Sequence, residues 1–293
     1  RDLNLPVEYI NFPDEGHGFA KPDNSMAFIT VMEKFLAKHI GGRCQESVPE
    51  NIAAIIDNIE VDIASLEMPI IVSDEMKKAQ LPTPSKMISA EKLSYDMSLD
   101  MQGQKMQFNI ERSITIDGTN VVVSDVSKSA MGEMTDVSNV KKESLQGVSR
   151  AIVQGPLTIN YTVDDNNITG DLSMNGKDQS IDLSFDNDFI MDGPSLDVYL
   201  SKLPLTDDYK TTLRVFDSQG QNMQTYNFEV QSKESIDQYK CYKCVLKSLD
   251  GTEKSQTLWV HDNDNPMLIQ KTSVIPEMGG ATMRMKLRTF EKL

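Results

Sequence analysis

The sequence predicts a mainly β protein in which a short strand-loop-helix segment precedes a large antiparallel β domain. Three observations predict it: apolar and polar residues alternate along many short segments after residue 90, glycine-containing turn dipeptides separate those segments, and an N-terminal segment shows helical spacing instead. Alternation with a period of two is typical of strands that bury one face. A barrel-like, half-barrel or sandwich arrangement buries a sheet of this kind.

The N-terminal residues contain one strand, one loop and one helix in that order. Residues 5–12 have the β-branched and aromatic character of a short strand, and the loop that follows places His17 between two glycines. Helical spacing then extends from about residue 24 to residue 39. The pair Gly41-Gly42 ends the helix, because glycine readily adopts the left-handed conformation needed there.

A proline-containing stretch separates this segment from the β domain. Residues 50–65 fit a short helix in their first part and an alternating strand at their end, so both alternatives stay open. Residues 66–90 hold three prolines among polar residues, which is typical of a domain boundary. We therefore divide the chain into an N-terminal segment of residues 1–45, a linker of residues 46–90 and an antiparallel β domain of residues 91–293.

The β domain is predicted from its alternating segments and from the turns between them. The segments that predict strands begin at Leu93, Met106, Leu157, Ile181, Leu213, Thr225, Leu258 and Met283. Dipeptides typical of hairpin turns are Gln102-Gly103, Asp117-Gly118, Asn175-Gly176, Gln219-Gly220 and Asp250-Gly251. One helix is expected near residues 195–203, after Gly193-Pro194.

Composition argues against several classes of function. A formal net charge of -15 disfavours a nucleic-acid partner, because phosphate contacts require clustered Lys and Arg. No apolar run reaches the roughly 18 residues of a membrane-spanning helix. We expect no cofactor and no metal. Cys241 and Cys244 lie on a predicted strand rather than at a helix N-terminus, and residues 262–266 lack the spacing of a calcium loop.

His17 is the candidate catalytic residue. In α/β-hydrolases the catalytic His follows the last strand and precedes a final helix, and the triad has the chain order Ser, Asp or Glu, His. The strand, His17 and the helix follow one another in that way here. Such a histidine is a general base toward the serine hydroxyl and then a general acid toward the leaving amine. The tripeptide Gly-His-Gly alone would instead favour an ordinary surface loop.

The string from Phe12 to Phe19 resembles the prolyl oligopeptidase family of serine peptidases, in particular its dipeptidyl- and acylaminoacyl-peptidase branch. Further residues that carry the resemblance are Asn24, Phe35, Leu36, Gly41, Gly42 and Arg43. The resemblance implies that residues 1–45 are the C-terminal fragment of an α/β-hydrolase peptidase domain, with His17 catalytic. It also implies a full-length parent that hydrolyses short peptides with a Ser-Asp-His triad.

The other two members of that triad are expected outside the sequence. No Gly-x-Ser-x-Gly elbow occurs in it, and Asp14 and Glu15 precede His17 too closely to act as the triad acid. We expect both carboxylates to shape the loop or to bind its neighbours. We also expect the nucleophile and the acid upstream of Arg1, and the chain by itself to be inactive as a peptidase.

The β domain has a looser resemblance to bacterial envelope domains with lipoprotein-carrier-like or lipocalin-like half-barrels, carried by residues 239–243 and 258–260. The resemblance implies a periplasmic or secreted location. The domain contains one histidine, His261, and no apparent nucleophile–base spacing, so we expect docking or binding rather than catalysis. The alternative hypothesis for the whole chain is a non-catalytic module that binds an apolar ligand or an envelope partner, with the concave side of a half-barrel as the pocket.

Overall fold

The structure is a computed structural model that describes residues 7–15, 19–45, 47–62, 73, 76, 80–101, 103–129, 132–250, 254–276 and 279–293. Contacts within the chain divide it into two compact units, Arg1–Met68 and Pro69–Leu293. The domain boundaries that the sequence predicts near residues 45 and 90 stay predictions.

The first unit contains two helices and two short strands. β1 is Tyr9–Ile10, α1 is Pro22–Ile40, α2 is Glu50–Ile59 and β2 is Glu60–Val61. β1 pairs with β2 in the antiparallel direction. The two alternatives for residues 50–65 thus occur in succession within the described part, because α2 ends at Ile59 and Glu60 takes the extended conformation of β2.

Helix α1 begins at Pro22 rather than near residue 24. Proline suits the first helical position, because its fixed φ is already helical and its missing N–H has no partner to lose there. At the other end, Gly41 has a φ of 79° and its N–H donates to the carbonyl of Ala37 at 3.2 Å. The glycine predicted to end the helix therefore does so.

The described core of the first unit is small. It comprises the buried side chains of Ala27, Ile52 and Ile59, with partly buried neighbours around them. Much of the apolar surface of α1 is exposed, namely Met26, Phe28, Ile29, Met32, Leu36 and Ile40. The helical spacing that predicts α1 therefore marks a face that the described unit leaves uncovered.

The second unit contains fifteen strands in one sheet and one helix, α3, at Pro194–Ser201. Its strands are β3 Glu91–Met101, β4 Gln104–Asp117, β5 Asn120–Ser129, β6 Gly132–Lys141, β7 Gly147–Gln154, β8 Leu157–Asp164, β9 Asn167–Met174, β10 Lys177–Ser184, β11 Ile190–Met191, β12 Lys210–Asp217, β13 Asn222–Ile236, β14 Tyr239–Ser248, β15 Ser255–His261, β16 Leu268–Ile275 and β17 Ala281–Lys292.

The strand order is β10-β9-β8-β7-β6-β5-β4-β3-β17-β16-β15-β14-β13-β12-β11. Neighbouring strands are antiparallel except β11, which is parallel to β12 across the short crossover that contains α3. The turn between β9 and β10 shows why the sequence specifies hairpins: Asn175 and Gly176 both have positive φ, as a type I′ turn requires. The mainly β, antiparallel fold class predicted from the sequence is confirmed.

The sheet is not closed by backbone pairing. β10 and β11 follow one another in the chain but lie at opposite ends of the strand order. Side chains connect the two arms of the sheet instead, of which one consists of β3 to β10 and the other of β11 to β17. The hydroxyl of Tyr161 on β8 donates to the carbonyl of Ser218 at 2.6 Å, and its ring meets that of Phe216 on β12 edge-on, with centroids 5.5 Å apart. These contacts bring β8 against the strands of the other arm.

Helix α3 lies on the face around which the sheet curves, called the inner face below. All eight residues of α3 are buried, and the helix contacts β5 and β6 in one arm and β11 and β16 in the other. One helix can touch both arms only if the sheet bends around it. None of the described helices is both long enough and apolar enough to cross a membrane.

Candidate functional site

His17 lies in residues 16–18, outside the described part of the chain, so its catalytic role stays a prediction. Described residues on both sides show how the histidine loop, residues 13–19, is anchored. The side chain of Glu15 fixes the backbone that leaves the loop. Its Oε2 accepts a hydrogen bond from the N–H of Ala20 at 2.8 Å, and its Oε1 accepts one from the N–H of Lys21 at 3.0 Å.

Both acidic residues of the loop are engaged by α1. The Nδ2 of Asn24, a buried residue in the first turn, donates to Asp14 Oδ1 at 3.0 Å and to Glu15 Oε1 at 2.8 Å. Asp14 also pairs with Lys21. The hydrogen bond from Lys21 lowers the pKa of Asp14, and the backbone N–H of Ala20 lowers the pKa of Glu15. The two carboxylates thus shape the loop, as the sequence predicts.

Aromatic contacts hold the loop from the other side. The ring of Phe19, directly after the loop's undescribed residues, lies edge-on to that of Phe12 with centroids 4.9 Å apart. It also lies 5.2 Å from the ring of Phe28 on α1. Phe12 precedes the loop and Phe28 belongs to the helix behind it. The two ends of the loop are therefore fixed relative to each other and to α1.

In the second unit, a buried network of charged side chains joins α3 to the sheet. Arg112 of β4 donates to both oxygens of Asp125 on β5, at 2.7 and 2.8 Å. Its Nη2 also donates to Oδ2 of Asp197 on α3 at 3.0 Å. From the other arm, the Nζ of Lys271 donates to both oxygens of Asp197, at 2.7 and 2.9 Å. Asp197 therefore links the two arms across the inner face.

A second network lies beside the first. Arg150 of β7 donates to both oxygens of Asp136 on β6, at 2.9 and 2.7 Å. It also pairs with Asp192, between β11 and α3, and donates to the hydroxyl of Ser218 at 2.6 Å. The hydroxyl of Ser218 in turn donates to Asp192. These bonds tie β7 to the segment that leads into α3.

The two networks form one row across four neighbouring strands. Asp125 and Asp136 are directly opposite each other in the β5–β6 pair. Facing carboxylates destabilise a sheet, but here an arginine on the far side of each one compensates. Burial alone would raise the pKa of Asp197, yet the charges of Lys271 and Arg112 outweigh it, so that pKa lies below its ordinary value.

The sequence itself indicates the pair of Arg112 and Asp125, but not its link to Asp197. Arg112 alternates with Ile110 and Ile114, and Asp125 follows Val121 and Val123 at the same spacing. The period of two places both charges on the apolar side of their strands. Charges at inward positions indicate a buried pair. Asp197 has no such signal, because its role depends on where α3 packs.

Little free space remains between α3 and the strands beneath it. The cavity there has a volume of about 10 Å³ and is lined by residues that include Tyr95, Arg112, Asp197 and Lys202. That is about the space of one water molecule. Beneath α3 the concave side of the sheet is therefore filled, and the open pocket expected for a half-barrel is absent from this described region.

The buried cysteines are unsuited to nucleophilic chemistry. Cys241 and Cys244 are both free. Burial raises the pKa of Cys241 to about 11 and that of Cys244 to about 12, so both thiols stay protonated at neutral pH. In the residues that the structure describes, no group of three or more His, Cys, Asp or Glu side chains could hold a metal ion.

Comparison with known proteins separates the two units. Dipeptidyl aminopeptidase BIII of Pseudoxanthomonas mexicana is 60% identical over 42 residues, which are 14% of this chain and 6% of that protein. Dipeptidyl peptidase family member 6 of Caenorhabditis elegans is 42% identical over 65 residues, 22% of this chain and 9% of that protein. Both matches are short and N-terminal. The chain therefore spans less than a tenth of either relative.

The β domain matches other proteins. A family model described as "Protein of unknown function (DUF3108)" matches residues 94–286. A β-barrel-like protein of domain of unknown function DUF1849 from Brucella abortus superposes with a TM-score of 0.48 at 11% identity, covering 71% of this chain and all of that one. A LolA superfamily protein from Nitrosomonas europaea superposes with a TM-score of 0.26 at 11% identity, covering 70% of this chain and 86% of that one.

Proposed function

We propose that this chain, which belongs to the DUF3108 family through its β domain, also supplies the catalytic histidine of a serine peptidase of the prolyl oligopeptidase family. The observation that carries the proposal is the anchoring of the histidine loop from both sides. Glu15 binds the backbone after the loop, and Phe19 packs between Phe12 and Phe28. The identity with two dipeptidyl peptidases over the N-terminal segment supports it.

In this proposal His17 acts as the proton carrier of a triad. Its imidazole takes the proton of a serine hydroxyl as that oxygen attacks the carbonyl of a short peptide, and then gives the proton to the leaving amine. The serine and the triad acid belong to a longer parent polypeptide. Asp14 and Glu15 are already engaged by Lys21 and Asn24, so they position the loop and do not serve as the acid.

The test uses the full-length natural polypeptide with chromogenic dipeptide substrates. His17→Ala should lower kcat by a factor of about 10⁴ to 10⁶, as loss of a triad member does elsewhere. The matched control is His39→Ala, because His39 is the exposed histidine near the end of α1. Near-normal turnover in His17→Ala would overturn the proposal. So would a natural coding sequence without a Gly-x-Ser-x-Gly elbow upstream of Arg1.

For the β domain we propose a docking or binding role in the periplasm or outside the cell. The alternative to docking on a partner is that the β domain binds an apolar ligand. Beside the charged networks the inner face carries many buried apolar side chains, and α3 lies on that face, held there through Asp197. A ligand could reach that face only if α3 moved away. Cell fractionation checks the location, and recovery of the protein in the cytosol alone would contradict it.

The ligand alternative has its own test with a fluorescent fatty acid as the probe. Asp197→Asn weakens the tether of α3 and should increase binding of the probe. The control Asp208→Asn changes an exposed residue in the loop after α3 and should leave binding as in the wild type. If the probe binds to neither the wild type nor Asp197→Asn, the docking role stands and the apolar ligand is rejected.

A further inference from the structure

One edge of the sheet has no pairing partner in the described part of the chain. β10 is the end strand of its arm and pairs only with β9. It is eight residues long, and most of them are exposed. At the opposite end of the sheet, β11 consists of two buried residues. An open edge of this length presents a row of unpaired backbone N–H and C=O groups.

The hairpin geometry determines which backbone groups of β10 point toward the open side. A two-residue turn joins β9 to β10, and Lys177, the first residue of β10, pairs with Met174 across that turn and bonds to β9. Residues that bond to the neighbouring strand alternate with residues that do not in an antiparallel ladder. Asp178, Ser180 and Asp182 therefore direct their backbone groups away from β9.

The exposed face beside this edge is strongly acidic. Asp178 and Asp182 are exposed on that face, and Asp171 of β9 lies opposite Ser180 between them. Neither Asp178 nor Asp182 forms an ion pair with any described residue. The surrounding residues 164–192 contain eight aspartates and one lysine. Asp192 in that stretch is paired with Arg150, but the excess of carboxylates makes the potential beside the open edge negative.

The other face of β10 has the opposite character. Ile181 is buried and Leu183 is partly buried, and both pack with apolar residues of the neighbouring strands. In a strand added beside β10, every second side chain would therefore lie next to the carboxylates. The side chains between them would lie next to the apolar residues on the other face.

We propose that the edge of β10 binds an extended polypeptide segment in which Lys or Arg alternates with apolar residues, added to the sheet as a further strand. The backbone groups of residues 178, 180 and 182 supply the ladder, and the two faces select the sequence of the partner. The cations lie over Asp178 and Asp182, and the apolar side chains extend the surface formed by Ile181 and Leu183.

A second copy of this chain fits the edge poorly. Two β10 strands paired antiparallel about Ser180 would place Asp178 of one copy opposite Asp182 of the other. Like charges directly opposite each other destabilise a strand pair. The net charge of -15 on each chain adds long-range repulsion. The edge therefore selects for a basic partner and against itself.

The test measures binding of a labelled peptide of alternating lysine and valine to the full chain by fluorescence anisotropy. The wild type should bind, and more weakly at higher salt because exposed charges are screened.

Ser180→Pro removes an outward N–H but leaves the β9–β10 ladder intact, and it should weaken binding about tenfold or more. Asp178→Lys replaces attraction by repulsion and should weaken it about tenfold. The control Asp208→Lys makes the same charge change in the loop before β12 and should have little effect.

Thermal melts confirm that each variant is folded. Failure of the wild type to bind the peptide overturns the proposal. Binding that survives Ser180→Pro overturns the added strand, and binding that Asp178→Lys and Asp208→Lys weaken equally overturns the selection by charge. Sedimentation of the free protein is the remaining check. A dimer that Ser180→Pro abolishes would show that a second copy occupies the edge, which also overturns the proposal.

Discussion

The described core of the first unit consists of Ala27, Ile52 and Ile59, whereas the second unit buries large side chains such as Tyr95, Tyr161 and Phe228 on strands of both arms. The first unit also leaves apolar residues of α1 exposed, while every residue of α3 is buried. A small unit that buries so little apolar surface is marginal alone. We therefore expect the part of the chain that resembles dipeptidyl peptidases to depend on further structure for its stability.

Expressing the two units separately should give the largest difference in stability. Residues 80–293 expressed alone should melt cooperatively, because the sheet and α3 contain their own core. Residues 1–62 expressed alone should show no cooperative melt and little amide protection, because α1 lacks a cover for its apolar side chains. Circular dichroism melts and hydrogen exchange check both. A stable free 1–62 fragment would remove the difference between the units.

Breaking the tether of α3 should destabilise the second unit next most strongly. Asp197→Ala leaves Arg112 and Lys271 buried with a missing partner, and loss of one member of a buried pair costs about 3–5 kcal/mol. Chemical denaturation measures the free energy of unfolding. The control Asp208→Ala removes an exposed carboxylate and should stay within about 0.5 kcal/mol of the wild type. Equal effects of the two substitutions would contradict the tether.

The stabilisation that Asp197 provides through Arg112 and Lys271 should depend on pH. The pKa of Asp197 in the folded protein lies below its ordinary value, which is about 3.9 in unfolded chains. Its stabilising contribution is therefore complete above the unfolded pKa and is lost as the pH falls through the folded value. The difference in unfolding free energy between the wild type and Asp197→Asn should shrink as the pH falls from 7 into this acid range. A difference that stays constant over that range would show that the charge of Asp197 is not involved.

The thiols give the smallest and most local contrast. Cys44 is exposed in the first unit, whereas Cys241 and Cys244 are buried in the second. Because burial raises the pKa of both buried thiols, Ellman's reagent at pH 8 should titrate Cys44 rapidly and the other two only after unfolding. The control Cys44→Ser should abolish the rapid phase. Rapid reaction of all three thiols in the native protein would show that the β domain opens readily.

Local rules predict much of the fold. Alternation predicts the strands, and Asn175-Gly176 predicts the β9–β10 hairpin because both residues must take positive φ. The same rules do not give the order of fifteen strands. Nothing local in β3 indicates that it pairs with β17, since that choice depends on the packing of the whole sheet. Nor does the eight-residue α3 show in its sequence that it would fill the concave side.

The candidate site is predictable to a lesser extent. Asp14 and Glu15 are expected to shape the loop, and they do so through Asn24, whose side chain the spacing of α1 brings back toward the loop. Arg112 and Asp125 have a signal in their inward register, but the bridge through Asp197 requires knowledge of the tertiary fold. Ladder edges such as that of β10 cannot be found from alternation, because every strand alternates regardless of its place in the sheet.

The pairing of β3 with β17 has a consequence for the order in which the protein can assemble. Within each arm every strand of the described sheet pairs with the next strand in the chain, but Arg288, just beside the β3–β17 ladder, and Ser94 form a hydrogen bond across 194 positions. A ribosome synthesises the N-terminal side first, so one edge of β3 has no pairing partner until β17 is synthesised. The middle of the sheet is then completed by β17, the last of these fifteen strands in chain order, and no backbone hydrogen bonds pair the two arms until residues 281–292 are synthesised.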